Sequence, residues 1–281
     1  QRFVEREGKP PSAQALQDAL GVLEARAHFD APELPVFTRL AEHDGKVYLD
    51  LCNASWEAVE ISPAGWQIVA APPVKFRRAK GMAPLPRPEE GGVVEDLRPF
   101  LNAEDETNWR LIVAWLLAAF NPKGPYPILV LQGGQGTGKS TNSRVVRSLV
   151  DPSISPLRTA PRDERDLAIA ANNSWVLCFD NMSGLPLWLS DALCRVATGG
   201  GFATRTLYEN DDETIFDYKR PIVVNGIDEI VSRHDLLDRA LVVNLPAIPP
   251  DKRREERVFW QEFEEARPRL LGALLDAVCV A

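Results

Sequence analysis

Two patterns of hydrophobic positions divide the chain. From residue 128 onward, short runs that are apolar at nearly every position alternate with amphipathic stretches. The runs at 128–131, 175–179, 222–224 and 241–245 read as buried strands, and the stretches at 140–150, 163–171 and 190–197 as helices. Strands apolar on both faces and separated by helices predict a parallel sheet covered on both sides. The segments 202–208 and 214–218 flank an acidic tip and predict a hairpin, and the tail from 251 is mostly helical. Upstream, Trp109, Ile112, Val113, Leu116, Leu117 and Phe120 fall at core spacing and predict a helix over 105–120, ended by Asn121 and Pro122. Residues 12–27 carry Leu16, Leu20 and Leu23 at helical spacing behind a capping Ser12. Between these helices, strand-like pieces at 47–52, 58–61, 66–69 and 74–76 are punctuated by Gly, Pro and Asn. The Pro- and Gly-rich stretch 81–92 reads as a linker.

Composition narrows the classes. With 281 residues and 45% hydrophobic content the chain can build a sizeable core, and its net charge of -8 argues against a basic coat over the whole surface, though not against a local basic groove. Cys52, Cys178, Cys194 and Cys279 are scattered without CxxC or Cys/His spacing, which speaks against zinc and fits a reducing, cytoplasmic setting. The longest apolar run, 111–120, is too short to span a bilayer, so no membrane partner is expected. Because the chain begins with Gln1, the expectation is a piece of a longer protein with a further activity upstream.

The strongest chemical signal follows the first buried run. Gly133-Gly134-Gln135-Gly136-Thr137-Gly138-Lys139-Ser140-Thr141 has the GxxxxGK[ST] pattern between an apolar strand and a helix. Its glycines let backbone N–H groups turn toward phosphate oxygens at a helix N-terminus, where the partial positive charge favours an anion. Lys139 is expected to reach the β- and γ-phosphates of ATP, and Ser140 to ligate Mg²⁺. The chain thus reads as a P-loop NTPase of the α/β class.

The second buried run ends in Asp180, the acid expected to hold Mg²⁺ with Ser140; a strand-capping role is the alternative. Asn181 follows, where a second acid is usual, and an amide can orient water but not take its proton. Asp191 is a candidate helper, with a helix-start role ranked ahead. The third run ends in Asn225, either a water-positioning amide or a strand-end turn residue. Arg239 stands just before the last run, where it would serve as an arginine finger to a neighbouring subunit or pair locally with Asp235 or Asp238.

In this order the motifs resemble superfamily 3 helicases, ring-forming AAA+ ATPases of viral, phage and mobile-element replication, with the primase–helicase type nearest. The resemblance spans roughly 127–246. It implies an AAA+ core at 127–249, with an accessory α+β region and linker at 1–92, a collar-like helical segment at 93–126 and a helical tail at 250–281. It implies residues 133–141 as motif A, Asp180 and Asn181 as motif B, Asn225 as the sensor and Arg239 as the finger. It also implies a hexameric ring on single-stranded DNA, an upstream primase domain or replication partner, and a DNA-binding hairpin at 198–218. The hairpin tip, 209–213, is acidic where a DNA-reading loop wants cations. Arg205, Lys219 and Arg220 flank it, either as phosphate contacts or as neutralisers of the neighbouring acids. Lys75-Phe76-Arg77-Arg78-Ala79-Lys80 interleaves an aromatic with cations in a way that suits single strands, whereas the charges at 252–257 read as a solvated face.

Three functions stay open at this point: a DNA motor, carried by the ordered motifs; an AAA+ ATPase that remodels or regulates a protein, favoured by the acidic charge; and a slow nucleotide switch, favoured by Asn181. A small-molecule kinase ranks last, because no lid signature is present.

Overall fold

The computed structural model describes residues 2–199, 202–205, 213–216, 218–226 and 234–281, with side chains omitted over 202–217. The chain forms two compact units, Gln1–Pro35 and Val36–Ala281. The first holds α1 (Arg2–Glu7) and α2 (Ala13–Phe29), the latter capped by Ser12, whose side chain accepts from the Ala15 N–H. None of the residues of α2 is buried.

The second unit opens with β1 (Val36–Phe37) and an antiparallel meander of β2 (Leu40–His43), β3 (Lys46–Asp50), β4 (Ala58–Ser62) and β5 (Gly65–Val69); β6 (Lys75–Phe76) then pairs in parallel with β1. A 3₁₀ turn at Val94–Phe100 leads into α3 (Glu106–Ala118), capped by Asp105. The α/β part follows as β7 (Ile128–Gln132), α4 (Lys139–Val150), α5 (Glu164–Asn173), β8 (Leu177–Phe179) and α6 (Leu187–Thr198). Next come the antiparallel pair β9 (Phe202–Arg205) and β10 (Glu213–Phe216), then β11 (Ile222–Gly226), α7 (His234–Leu237), β12 (Ala240–Asn244) and α8 (Glu256–Val280). Of the tip expected at 209–213, residues 209–212 lie outside the described residues and Glu213 opens β10.

The central sheet is parallel throughout, in the order β12-β7-β11-β8, and a parallel bridge from Arg158 to Phe179 extends it beyond β8. Side-chain alternation explains why its strands are apolar on both faces up to their carboxyl ends. Leu129, Leu131, Cys178, Val223 and Val243 join the cluster shared with Trp115 and Leu116 of α3, Val145 and Leu149 of α4, and Leu271 and Leu274 of α8. Ile128, Val130, Leu177, Phe179, Ile222 and Val224 join the opposite cluster with Leu167 of α5 and Leu193 of α6.

The first cluster also takes in Leu49, Val59 and Ile61 of the meander, so the meander and the parallel sheet share one core. The stretch 81–92, expected as a linker, is a packed strap instead. Its Ala83, Leu85 and Glu89 N–H groups donate to the carbonyls of Pro152, Leu51 and Pro268. A Cβ on Gly272 of α8 would overlap the Glu89 carbonyl, so the close approach of strap and helix depends on glycine. A buried ion pair ties meander to sheet. The Arg39 Nε donates to Asp151 Oδ1 at 2.9 Å, while Asp151 Oδ2 accepts from the N–H groups of Trp175 (2.8 Å) and Val176 (3.0 Å).

Candidate functional site

Strands that all run the same way deliver their carboxyl ends to one edge, where ligands of open α/β sheets bind. Residues 133–138 leave β7 at that edge and curl into the start of α4. Gly136 and Gly138 have φ of +77° and +75°, in the left-handed region that favours glycine. Gly133 is required for another reason: a Cβ there would lie 2.7 Å from the Leu245 carbonyl of the neighbouring strand end. Thr137 is buried and its hydroxyl donates to the Gly134 carbonyl at 3.1 Å, closing the loop on itself, while Gly134 and Gln135 face solvent and Thr141 is half-buried in α4. Lys139 lies back over the loop, its Nζ donating to the carbonyls of Gly133 (2.7 Å) and Gly134 (2.6 Å). Burial pulls its pKa below the ordinary lysine value, and the nearby Asp180 charge acts in the opposite direction.

Ser140 and Asp180 meet. The Ser140 hydroxyl donates to Asp180 Oδ1 at 2.8 Å. Among the described residues no cluster of three His, Cys, Asp or Glu side chains stands together. A hydroxyl and one carboxylate nonetheless fit Mg²⁺, which keeps several waters and takes one or two protein oxygens beside substrate phosphates.

Asn225 and Asn181 sit beside this pair, with Asn225 one residue past the Val224–Phe179 register of β11 and β8. The Asn225 amide is buried and committed at both ends: Oδ1 accepts from the Asn181 N–H at 3.0 Å, and Nδ2 donates to the Ser143 hydroxyl at 2.7 Å. It therefore clamps the turn after β8 to the first turns of α4. Asn181 has a backbone reason for being there, since its φ is +56° and asparagine enters the left-handed region more readily than other side-chain-bearing residues. Asp191 lies within α6, not at its start. Asn225→Ala is expected to strand the partly buried Asn181 N–H and the buried Ser143 hydroxyl. The loss of stability should be about 1–3 kcal/mol, read by urea unfolding.

Further residues at this edge carried no sequence signal. Asn102 and Asn142 exchange bonds, Asn102 N–H to Asn142 Oδ1 (3.1 Å) and Asn142 Nδ2 to Asn102 O (2.9 Å). Asn102 Nδ2 also donates to the carbonyls of Thr137 and Pro246, bracing the loop from outside. The Ile248 N–H donates to the Gly136 carbonyl at 3.2 Å, and Arg253, expected on a solvated face, leans on Gly136.

The remaining candidates fall elsewhere. Arg239 is exposed at the amino end of β12, with Nη1 donating to the Asp235 carbonyl at 2.6 Å. Its neighbour Ala240 pairs with Ile128, at the sheet edge opposite the loop. Lys219 is exposed, its stem against Gly199. Arg220, expected as a DNA contact, is buried, and that expectation is corrected. Its Nε donates to the carbonyls of Ala171 (2.9 Å) and Ser174 (3.0 Å) at the end of α5, and its guanidinium stacks over Trp175 and Tyr218. Burial draws its pKa down to about 10. The Arg205 side chain lies outside the described residues.

Comparison with known proteins gives one family match and several likenesses of fold. A family model described as actinomycete integrative conjugative element replication protein matches residues 94–281. No curated protein matches the chain. Among solved structures, an A-form apo structure of the NrS-1 C-terminal region aligns with TM-score 0.50 and 13% identity, over 80% of this chain and 66% of that one. A second structure of that region aligns with TM-score 0.51 and 14% identity, over 94% and 60%. The chain thus spans about two thirds or less of these structures, and the likeness is one of fold. A weaker match, TM-score 0.38 at 13% identity over 64% of this chain and 51% of that one, is to a JCV helicase.

Proposed function

The chain belongs to the actinomycete integrative conjugative element replication protein family, and from that premise we propose that it is an ATP-driven DNA motor of the superfamily 3, AAA+ type. The observation that carries the reading is the meeting of the glycine loop, Lys139, Ser140 and Asp180 at the carboxyl edge of the sheet, 2.8 Å separating the last two side-chain oxygens. Residues 133–138 and Lys139 hold the phosphates of ATP through backbone N–H groups and one ammonium. Ser140 and Asp180 hold Mg²⁺, which when bound neutralises charge on the phosphate oxygens. Asn225 is a positioning residue: it sets the Asn181 turn against α4 and so fixes where water stands beside Asp180. Arg239 belongs to the neighbour's site, in a ring of identical subunits that we take to be a hexamer. The β9–β10 hairpin carries the coupling to single-stranded DNA, with Arg205 and Lys219 as its cations.

A second reading, an AAA+ ATPase that acts on a protein partner, draws on the net charge of -8 and on the engagement of Arg220 in the fold. ATP hydrolysis measured with and without single-stranded DNA, with Lys139→Ala as the blank, separates the two. A DNA motor should show turnover stimulated several-fold by DNA and lost in the variant. Lys139-dependent turnover indifferent to DNA would instead select the protein-remodelling role.

A further inference from the structure

At the opposite edge of the sheet the molecule collects positive charge that the ATP site does not use. A cavity of about 530 Å³ opens between the 77–82 segment, the last turn of α4, the loop after it and the end of α5. Arg77, Arg78, Lys80, Arg147 and Arg158 line it, with Asp151 as the carboxylate among them. That carboxylate is already spent on Arg39 and on the N–H groups of Trp175 and Val176. Arg78 has a partner in Asp50, at 2.6 Å, and Arg77 donates to amide and carbonyl oxygens of Asn172 and Asn173, which leave its charge in place.

The two deeper arginines are the telling ones. Arg147 is 1% exposed, yet its guanidinium meets only carbonyls: Nε donates to Asp151 O at 3.2 Å and Nη1 to Pro156 O at 2.6 Å. Its Nη2 is buried without a hydrogen-bond partner, and so is the Nε of Arg158, whose Nη2 donates to the Ser174 hydroxyl. Burial, followed by the like charge of Arg147, pulls the Arg158 pKa below its ordinary value, with the Asp151 carboxylate acting in the opposite direction. Lys80 is exposed at the rim. A guanidinium does not shed its proton near neutral pH, and buried cations that share one carboxylate are short of counter-charge. Such a cluster is stable against an anion, and the planar fork of arginine suits phosphate above other anions.

We propose that this cavity binds a phosphorylated ligand of nucleotide size, its phosphoryl group seated at Arg158 and Lys80 with the buried charge of Arg147 behind them. The volume falls in the range of roughly 300–1,000 Å³ that small-ligand pockets occupy. The site is distinct from the glycine loop: Arg147 stands eight residues along α4 from Lys139, about 12 Å at 1.5 Å per residue. Two sources share this chemistry, a free phosphorylated small molecule and the terminal phosphate of a nucleic acid strand.

The test uses the full chain with its glycine loop filled by the magnesium complex of a non-hydrolysable ATP analogue. Inorganic pyrophosphate is titrated in by calorimetry. Pyrophosphate should bind the filled protein, and Arg158→Gln and Lys80→Gln should each weaken it about tenfold or more while the analogue binds as before. Pyrophosphate that fails to bind the filled wild type, or that binds both variants as tightly, overturns the proposal. If the analogue itself does not bind, the P-loop reading fails separately, and the pyrophosphate titration stands on the empty protein. A 5′-phosphorylated oligothymidylate that displaces pyrophosphate better than its 5′-hydroxyl twin assigns a strand end. Equal or absent displacement assigns a free small molecule.

Discussion

Lys139→Ala is expected to lower ATP turnover by about 100- to 1,000-fold, the cost of removing one preorganised donor aimed at developing charge. The ammonium stands 2.7 and 2.6 Å from two loop carbonyls, held where it would meet phosphate oxygens. Its partly buried setting makes the charge count for more than it would in water, because less solvent screens it. Burial draws its pKa below the ordinary lysine value, and the Asp180 charge opposes that pull. Alanine removes that charge without disturbing Gly133, Gly136 or Gly138, whose conformations set the loop. Nucleotide affinity should therefore fall along with turnover, because the same ammonium meets ground-state phosphates. Phosphate release under saturating ATP, set beside calorimetric binding of the analogue, reads both quantities. Turnover within a few-fold of wild type would remove Lys139 from the chemistry and with it the proposed motor.

The parallel sheet was legible because burial on both faces leaves an unbroken apolar run, and Ile128–Gln132 and Ile222–Gly226 are buried almost throughout. The same logic explains what was not legible. The β2 strand, Leu40–His43, turns polar after two residues and has no alternation long enough to register. The strap at 81–92 has linker composition, yet Gly92 lies against Arg269 and Ala273 of α8 and the Pro84 carbonyl accepts from Arg267, and composition alone does not distinguish the two uses. Within the site, the glycine loop announces itself because its backbone geometry demands particular residues in a fixed order. Asn102 and Asn142 do not, because they brace the loop through side-chain bonds across forty positions of sequence.

Arginines were the hardest class to place. A flanking cation near a hairpin reads as a DNA contact, but Arg220 finds the free carbonyls at the end of α5 and two aromatic faces closer than any solvent position. Arg147 shares the first strong helix of the sheet with Arg144, three positions earlier, which is half-exposed over Trp260 and paired with Glu256. Spacing does not say which of the two is buried. Only the tertiary path of the 77–82 and 151–158 segments converts Arg147 and Arg158 into the walls of a charged cavity.

Arg239→Ala is expected to cut turnover by about 1,000-fold or more while leaving ATP affinity within a few-fold of wild type, as for an arginine that stabilises transition-state charge from a neighbouring subunit. The register of the sheet is the reason. Arg239 precedes Ala240, which pairs with Ile128, whereas the glycine loop leaves from Gln132, paired with Asn244 at the other end of the same two strands. At about 3.3 Å per residue the five-residue strand sets the two ends well over 10 Å apart, so Arg239 does not serve the loop of its own chain. Its hold on the Asp235 carbonyl is a single exposed bond, which a neighbour's phosphate would replace at little cost. The decisive measurement mixes subunits. Lys139→Ala chains are inactive in their own loops but present an intact Arg239, and Arg239→Ala chains have intact loops but no finger. If Arg239 acts across the subunit boundary, mixing the two inactive proteins should restore part of the turnover. A mixture as inactive as its components, or an Arg239→Ala protein that loses binding and turnover together, would return Arg239 to a local role beside Asp235.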